Sequence, residues 1–168
     1  MNDQKHARGR NADRADWCFQ IECPLPRISV RNLRRKIRVN VGELETFAAA
    51  AVQHCLQLRN RKRSDLRKLR EVFVWLISDR RIAVLHRQFL GHLGATDVLT
   101  FQHGEIFISV ETARRQARAF GNSLIGELKL YMVHGLLHLH GFDDQTPGQA
   151  RKMRTVQEDI LRVCGRDR

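Results

Sequence analysis

Residues 134–144 read His-Gly-Leu-Leu-His-Leu-His-Gly-Phe-Asp-Asp, and no other stretch limits the fold so strongly. His134 and His138 stand four residues apart. On an α-helix that spacing puts two side chains about 40° apart around the axis and one turn apart along it. Two imidazoles so placed can grip one cation from a single face. The chain therefore needs a helix here, ended by Gly141, and then a turn that brings Asp143 and Asp144 back toward the histidines. A carboxylate on that turn, from Asp143 or Asp144, can supply a third metal ligand. A fourth position is left for water, as in catalytic rather than structural zinc sites. His140 falls roughly 240° from His134 on a regular helix, so it is expected to face away from the pair, at the surface or behind a ligand.

The rest of the chain supplies elements to hold that helix. In Arg27–Asn32, Ile28 and Val30 alternate with polar residues, a strand pattern. Asn40 with Glu43 three residues on resembles a capping box, and Leu44, Phe47, Ala48, Ala51, Val52 and Cys55 then recur at helical spacing, giving a helix to about Leu58. Residues 72–77 are continuously apolar and fit a buried strand. Asp79 is the expected N-cap of a short helix that carries Phe89 and closes at Gly91. Residues 96–101 and Glu105–Ser109 read as strands joined in a hairpin through His103-Gly104. Ser109 caps a further helix that Gly121 stops. The histidine helix starts near Ser123, and Thr146-Pro147 opens a last helix that ends at Gly165. This order predicts an α+β fold: a small mixed four-stranded sheet with helices packed on it and the metal site on a central helix. Residues 1–25 are polar and aperiodic, the pattern of a flexible extension, and 26–168 are expected to form one domain.

Charge narrows the partner. The formal net charge is +12, with a sequence pI near 10.7. Basic residues cluster at 27–38 and 59–70. Such clusters attract polyphosphate backbones, so Arg34, Arg35, Lys36, Arg61, Lys62 and Arg63 are expected to contact a nucleic acid. Cys18, Cys23, Cys55 and Cys164 form no Cys-x-x-Cys pair, and reduced thiols are expected, with Cys55 and Cys164 in the core. No apolar run is long enough to cross a membrane. The first residues lack an apolar secretory core, which points to a cytoplasmic protein.

Residues 134–144 resemble the signature of the YbeY-type endoribonucleases, the bacterial ribosomal-RNA maturation factors, which reads His-Gly-x-x-His-Leu-x-Gly-Tyr/Phe-Asp-His. Thr96-Asp97-Val98-Leu99-Thr100-Phe101 resembles that family's Thr-Asp-Val-Leu-Ser-Phe. Gly104-Glu105-Ile106-Phe107-Ile108-Ser109 resembles its Gly-Asp-Ile-x-Ile-Ser, and Gln116-Ala117 matches its following helix. The resemblance spans about residues 27–164. It implies one zinc ion per chain held by three side chains, and cleavage of single-stranded RNA in ribosomal RNA maturation and ribosome quality control. The implied partner is ribosomal RNA or the small ribosomal subunit.

Two positions depart from the family pattern. Its third histidine aligns with Asp144, so the resemblance makes Asp144 the third metal ligand, an anionic oxygen donor that lowers the net charge of the centre and favours harder metals, and leaves Asp143 to shape the turn or to orient a ligand. A family arginine aligns with Leu90, and Arg87, one helical turn earlier, is the candidate to replace it in catalysis. Two rival readings stay open. One is a metallopeptidase, although Gly135 stands where zinc proteases carry the glutamate base. The other is a non-catalytic RNA-binding ribosome-assembly factor with a structural metal.

Overall fold

The computed structural model describes residues 25–59, 64–91 and 96–165. The expected extension before residue 25 and the basic residues Arg61, Lys62 and Arg63 lie outside them, as does the side chain of Leu90. In chain order the elements are β1 (Arg27–Asn32), α1 (Val41–Gln57), a 3-10 turn (Leu66–Lys68), β2 (Glu71–Ile77), α2 (Asp79–Leu90), β3 (Val98–Phe101), β4 (Glu105–Ser109), α3 (Val110–Phe120), α4 (Leu124–Leu139) and α5 (Pro147–Cys164). The expected α+β order is what the chain adopts.

The sheet runs β1-β2-β4-β3. β1, β2 and β4 are parallel, and only the edge strand β3 is antiparallel, paired to β4 as the predicted hairpin. Each face of the sheet is covered differently. Val30, Val72, Val74, Leu76, Ile106 and Ile108 join residues of α1, α4 and α5 in the main core. Ile77 and Leu99 meet Ile82 of α2 in a smaller cluster on which Trp75, Phe101 and Phe107 pack.

α4 is the helix the other elements are built around. Leu128, Tyr131, Met132, Val133, Leu136, Leu137 and Leu139 are all buried, so apolar groups surround it rather than forming one stripe. A helix apolar on all sides must be enclosed, and α4 packs on α1, α3, α5, β3 and β4. Gly135 marks a close approach to the hairpin. A Cβ there would lie 2.8 Å from Ile106 Cγ2 and 3.0 Å from Thr100 Oγ1. The helix thus rests on the β3–β4 hairpin at its histidine-bearing turn.

The caps follow the sequence with one change. Asn40, Ser109, Ser123 and Thr146 each accept a backbone amide at their helix start. For α2 the cap is Ser78, not Asp79, because the Asp79 carboxylate is drawn across to α3, where it accepts from Ser109, Thr112 and Arg115. None of the helices, among the described residues, is long and apolar enough to cross a membrane.

Candidate metal centre

The end of α4 builds the site. Its last helical residue is Leu139, and Gly141 takes φ +92, a backbone region that residues with a Cβ resist. Two hydrogen bonds close the helix: Gly141 N–H to His138 O and Phe142 N–H to Leu137 O, each 2.9 Å. This is a Schellman ending with glycine in the left-handed position. It reverses the chain, so that Phe142 O returns to His138 and Asp144 faces the histidines. Asp143 Oδ1 accepts the Asp144 amide at 2.9 Å, which stiffens the turn.

The histidine pair is oriented from behind. His138 Nδ1 lies 3.2 Å from Phe142 O. A carbonyl oxygen only accepts, so Nδ1 carries the proton and Nε2 is left with its lone pair. His134 Nδ1 lies 3.3 Å from Gln157 Oε1 on α5, which selects the same tautomer. The two Nε2 atoms then face each other at 3.0 Å. Asp144 Oδ2 is 3.7 Å from one and 3.9 Å from the other. Three acceptors converge with no donor among them, and a cation resolves that arrangement. Bonds of about 2.0–2.1 Å at tetrahedral angles separate ligand atoms by about 3.3 Å, so the observed spacings bracket a single ion. Burial first, and His138 beside it, hold His134 below the ordinary imidazole range, which favours the neutral form that ligates.

The pair and Asp144 open onto a pocket of about 860 Å³ whose walls include Phe89, Thr100, Phe101 and Gln102. Thr100 Oγ1 is buried and has no hydrogen-bond partner among the described residues. Phe89 is 56% exposed and packs edge-on against Phe101, at 5.1 Å between centroids. The sequence gives Phe89 no role beyond its place on α2; the structure brings it to the pocket mouth. Gln157 carries no sequence signal, because only the packing of α5 on α4 brings it to His134. Thr100 was visible within the 96–101 motif but without an assigned role.

Other expected residues fall elsewhere. Arg87 is exposed on α2 and does not line the pocket. Arg34 is ion-paired with Glu111, while Arg35 and Lys36 are exposed. His140 does face away from the pair but is buried, not at the surface. Its ring reaches Ser64 Oγ at 2.9 Å and Leu58 O at 3.1 Å, because the back of α4 packs on the chain that follows α1. Cys55 is fully buried, and Cys164 packs against the same core.

Fold and site together define an α+β protein with a metal-ready His-x-x-x-His helix, closed by a glycine turn that returns a carboxylate. The family model described as Endoribonuclease YbeY matches residues 29–165. The chain belongs to the Endoribonuclease YbeY family. It is 38% identical over 105 residues to the Endoribonuclease YbeY of Anaeromyxobacter sp., a match covering 56% of this chain and 55% of that one. With the Thermus thermophilus protein of the same name it shares 44% identity over 102 residues, 54% of this chain and 73% of the relative. A chloroplastic relative from Arabidopsis thaliana is 33% identical over 159 residues, covering 86% of this chain and 27% of its own length. The chain thus spans about half the length of the Anaeromyxobacter relative, and less of the Arabidopsis one. The solution structure of TM1509 from Thermotoga maritima superposes with a TM-score of 0.53 at 25% identity, covering 81% of this chain and 90% of that one.

Proposed function

We propose that the protein is a zinc-dependent endoribonuclease that cuts single-stranded RNA in the cytoplasm, in ribosomal RNA maturation and ribosome quality control. The observation that carries this reading is the convergence of His134 Nε2, His138 Nε2 and an Asp144 oxygen beside a pocket, in a chain whose relatives are named endoribonucleases. His134, His138 and Asp144 would hold the ion. When bound, it supplies Lewis acidity, stabilising charge on a phosphoryl oxygen and making water more acidic.

The chain's own groups do the rest. Phe142 O and Gln157 fix the imidazole tautomers. Phe89 offers an exposed ring on which an unpaired base can stack. Arg35 draws the phosphate backbone, and Arg87 adds positive charge to α2 outside the pocket. Peptidase chemistry is disfavoured by shape: with Ile106 2.8 Å from any Cβ at position 135, a glutamate base has no room there.

The test is end-labelled single-stranded RNA and an unstructured peptide, each incubated with zinc-loaded protein. RNA cleavage without peptide cleavage is expected, lost in His134→Ala and His138→Ala together with bound zinc. RNA cleavage that persists in both variants with metal excluded overturns the reading. RNA bound but uncut under every divalent metal would instead make the protein a non-catalytic assembly factor.

A further inference from the structure

The carboxyl ends of β1, β2 and β4 lie together at one end of the sheet, where Asn32 pairs with Leu76 and Ile77 with Ser109. The metal pocket is lined along β3, the edge strand on the other side of the sheet from β1. At the carboxyl end, the turn after β1 and the flank of α3 enclose a groove of about 400 Å³ that shares no lining residue with the metal pocket. Arg34 and Lys36 come from the turn; Glu111, Arg114, Arg115 and Arg118 come from α3.

The acids here hold the frame. Glu111 uses one oxygen on Arg34 and the other on the Asp79 amide, at 2.8 Å. Asp79 takes the Ser109 hydroxyl, the Thr112 hydroxyl at 2.8 Å, and Arg115. Two arginines are thereby fixed in direction, and Arg34 Nε, buried, meets no acceptor among the described residues. Lys36, Arg114 and Arg118 are exposed, and no acid pairs with them among the described residues. Arg114 and Arg118 lie four residues apart on α3, about 6 Å along its axis. Like charges at that spacing oppose each other on a helix, although the last turn favours the cation of Arg118.

We propose that this groove is a second phosphodiester-backbone site, which grips a segment of single-stranded RNA away from the bond that is cut. Lys36, Arg114 and Arg118 supply the mobile charges, beside Arg34 and Arg115, which Glu111 and Asp79 hold in place. β1 and β3 stand three strand spacings apart, about 14 Å, so one RNA must be long enough to span that distance to touch both sites. The inference rests on RNA as the substrate, but not on its being cut.

The measurement is binding of a long single-stranded RNA by fluorescence anisotropy across a salt series, with chelator present so that nothing is cleaved. For Lys36→Ala/Arg114→Ala/Arg118→Ala we expect affinity about 10-fold weaker, and a salt slope shallower by about 2, from three lost phosphate contacts. A charge-matched control, Arg80→Ala/Arg151→Ala/Arg162→Ala, should bind nearly as the native chain does. Equal loss in both triple variants, or no change in slope in the groove variant, overturns the proposal. With zinc restored, the groove variant should cut a short oligonucleotide at the native rate; a loss there would place these residues in the cleavage centre and also overturn it. A native chain that binds RNA but never cuts defeats the nuclease reading and leaves the groove standing. One that binds no RNA defeats both.

Discussion

Gly135→Ala tests whether α4 rests on the β3–β4 hairpin as closely as the structure shows. Alanine is the better helix former by about 1 kcal/mol at an interior position, so propensity alone raises stability. The added methyl, however, would sit 2.8 and 2.9 Å from two carbons of Ile106 and 3.0 Å from Thr100 Oγ1. Ile106 is fully buried and β-branched, so it has little freedom to swing away. Overpacking of this kind costs about 1–3 kcal/mol, and the stiff neighbour puts it in the upper half of that range. The net expectation is a loss of about 1–2 kcal/mol, a Tm lower by roughly 2–8 °C for a chain of this size. Gly148→Ala is the contrast. It lies in the first turn of α5 with nothing within 4 Å of its Cβ position, so the same substitution should leave Tm unchanged or higher. Ile106→Ala removes both clashing carbons at its own cavity cost. The double variant with Gly135→Ala should therefore be about 1 kcal/mol or more stabler than the two single losses added together. Urea unfolding of the four proteins reads this cycle. A Gly135→Ala protein as stable as Gly148→Ala, with no coupling to Ile106, would refute the contact and the steric case against a glutamate base.

Three further outcomes are expected. Gln157→Leu frees His134 Nδ1 and should weaken zinc binding about 10–100-fold, read by competition with a chromophoric chelator; unchanged affinity would mean that Gln157 does not orient the ring. Burial pushes the Asp79 carboxyl up, but hydrogen bonds from Ser109, Arg115 and Thr112 outweigh it and hold the pKa below the ordinary value of 3.8. A carboxyl with a lowered folded pKa contributes stability that is present above its unfolded pKa and lost as pH falls through the folded one. Native protein should thus lose stability below about pH 3.8 more steeply than Asp79→Asn, and parallel curves would count against the network. Cys55, its thiol pushed up to about 12 by burial first and by Cys164 second, should resist a thiol reagent at neutral pH until the chain unfolds.

The histidine pair, its helix and the glycine that ends it were legible in the sequence because each rests on local geometry. Helical spacing fixes which side chains share a face, and only a residue without a Cβ enters the left-handed region readily, so Gly141 marks the reversal that returns Asp144. The strands were legible for the same reason, although β3 starts two residues later than the pattern indicated. What joins residues far apart along the chain was not legible. Gln157 reaches His134 across 23 positions, Ile106 sets the size limit at Gly135, and Asp79 gives up capping α2 to serve α3. The basic residues divide in the same way. Their sum was plain from composition, but only folding decided that Glu111 would anchor Arg34 while Lys36, Arg114 and Arg118 stayed exposed. Local preferences act over a few bonds. The orientation of a ligand and the freedom of a charge depend on which surfaces meet when the core closes.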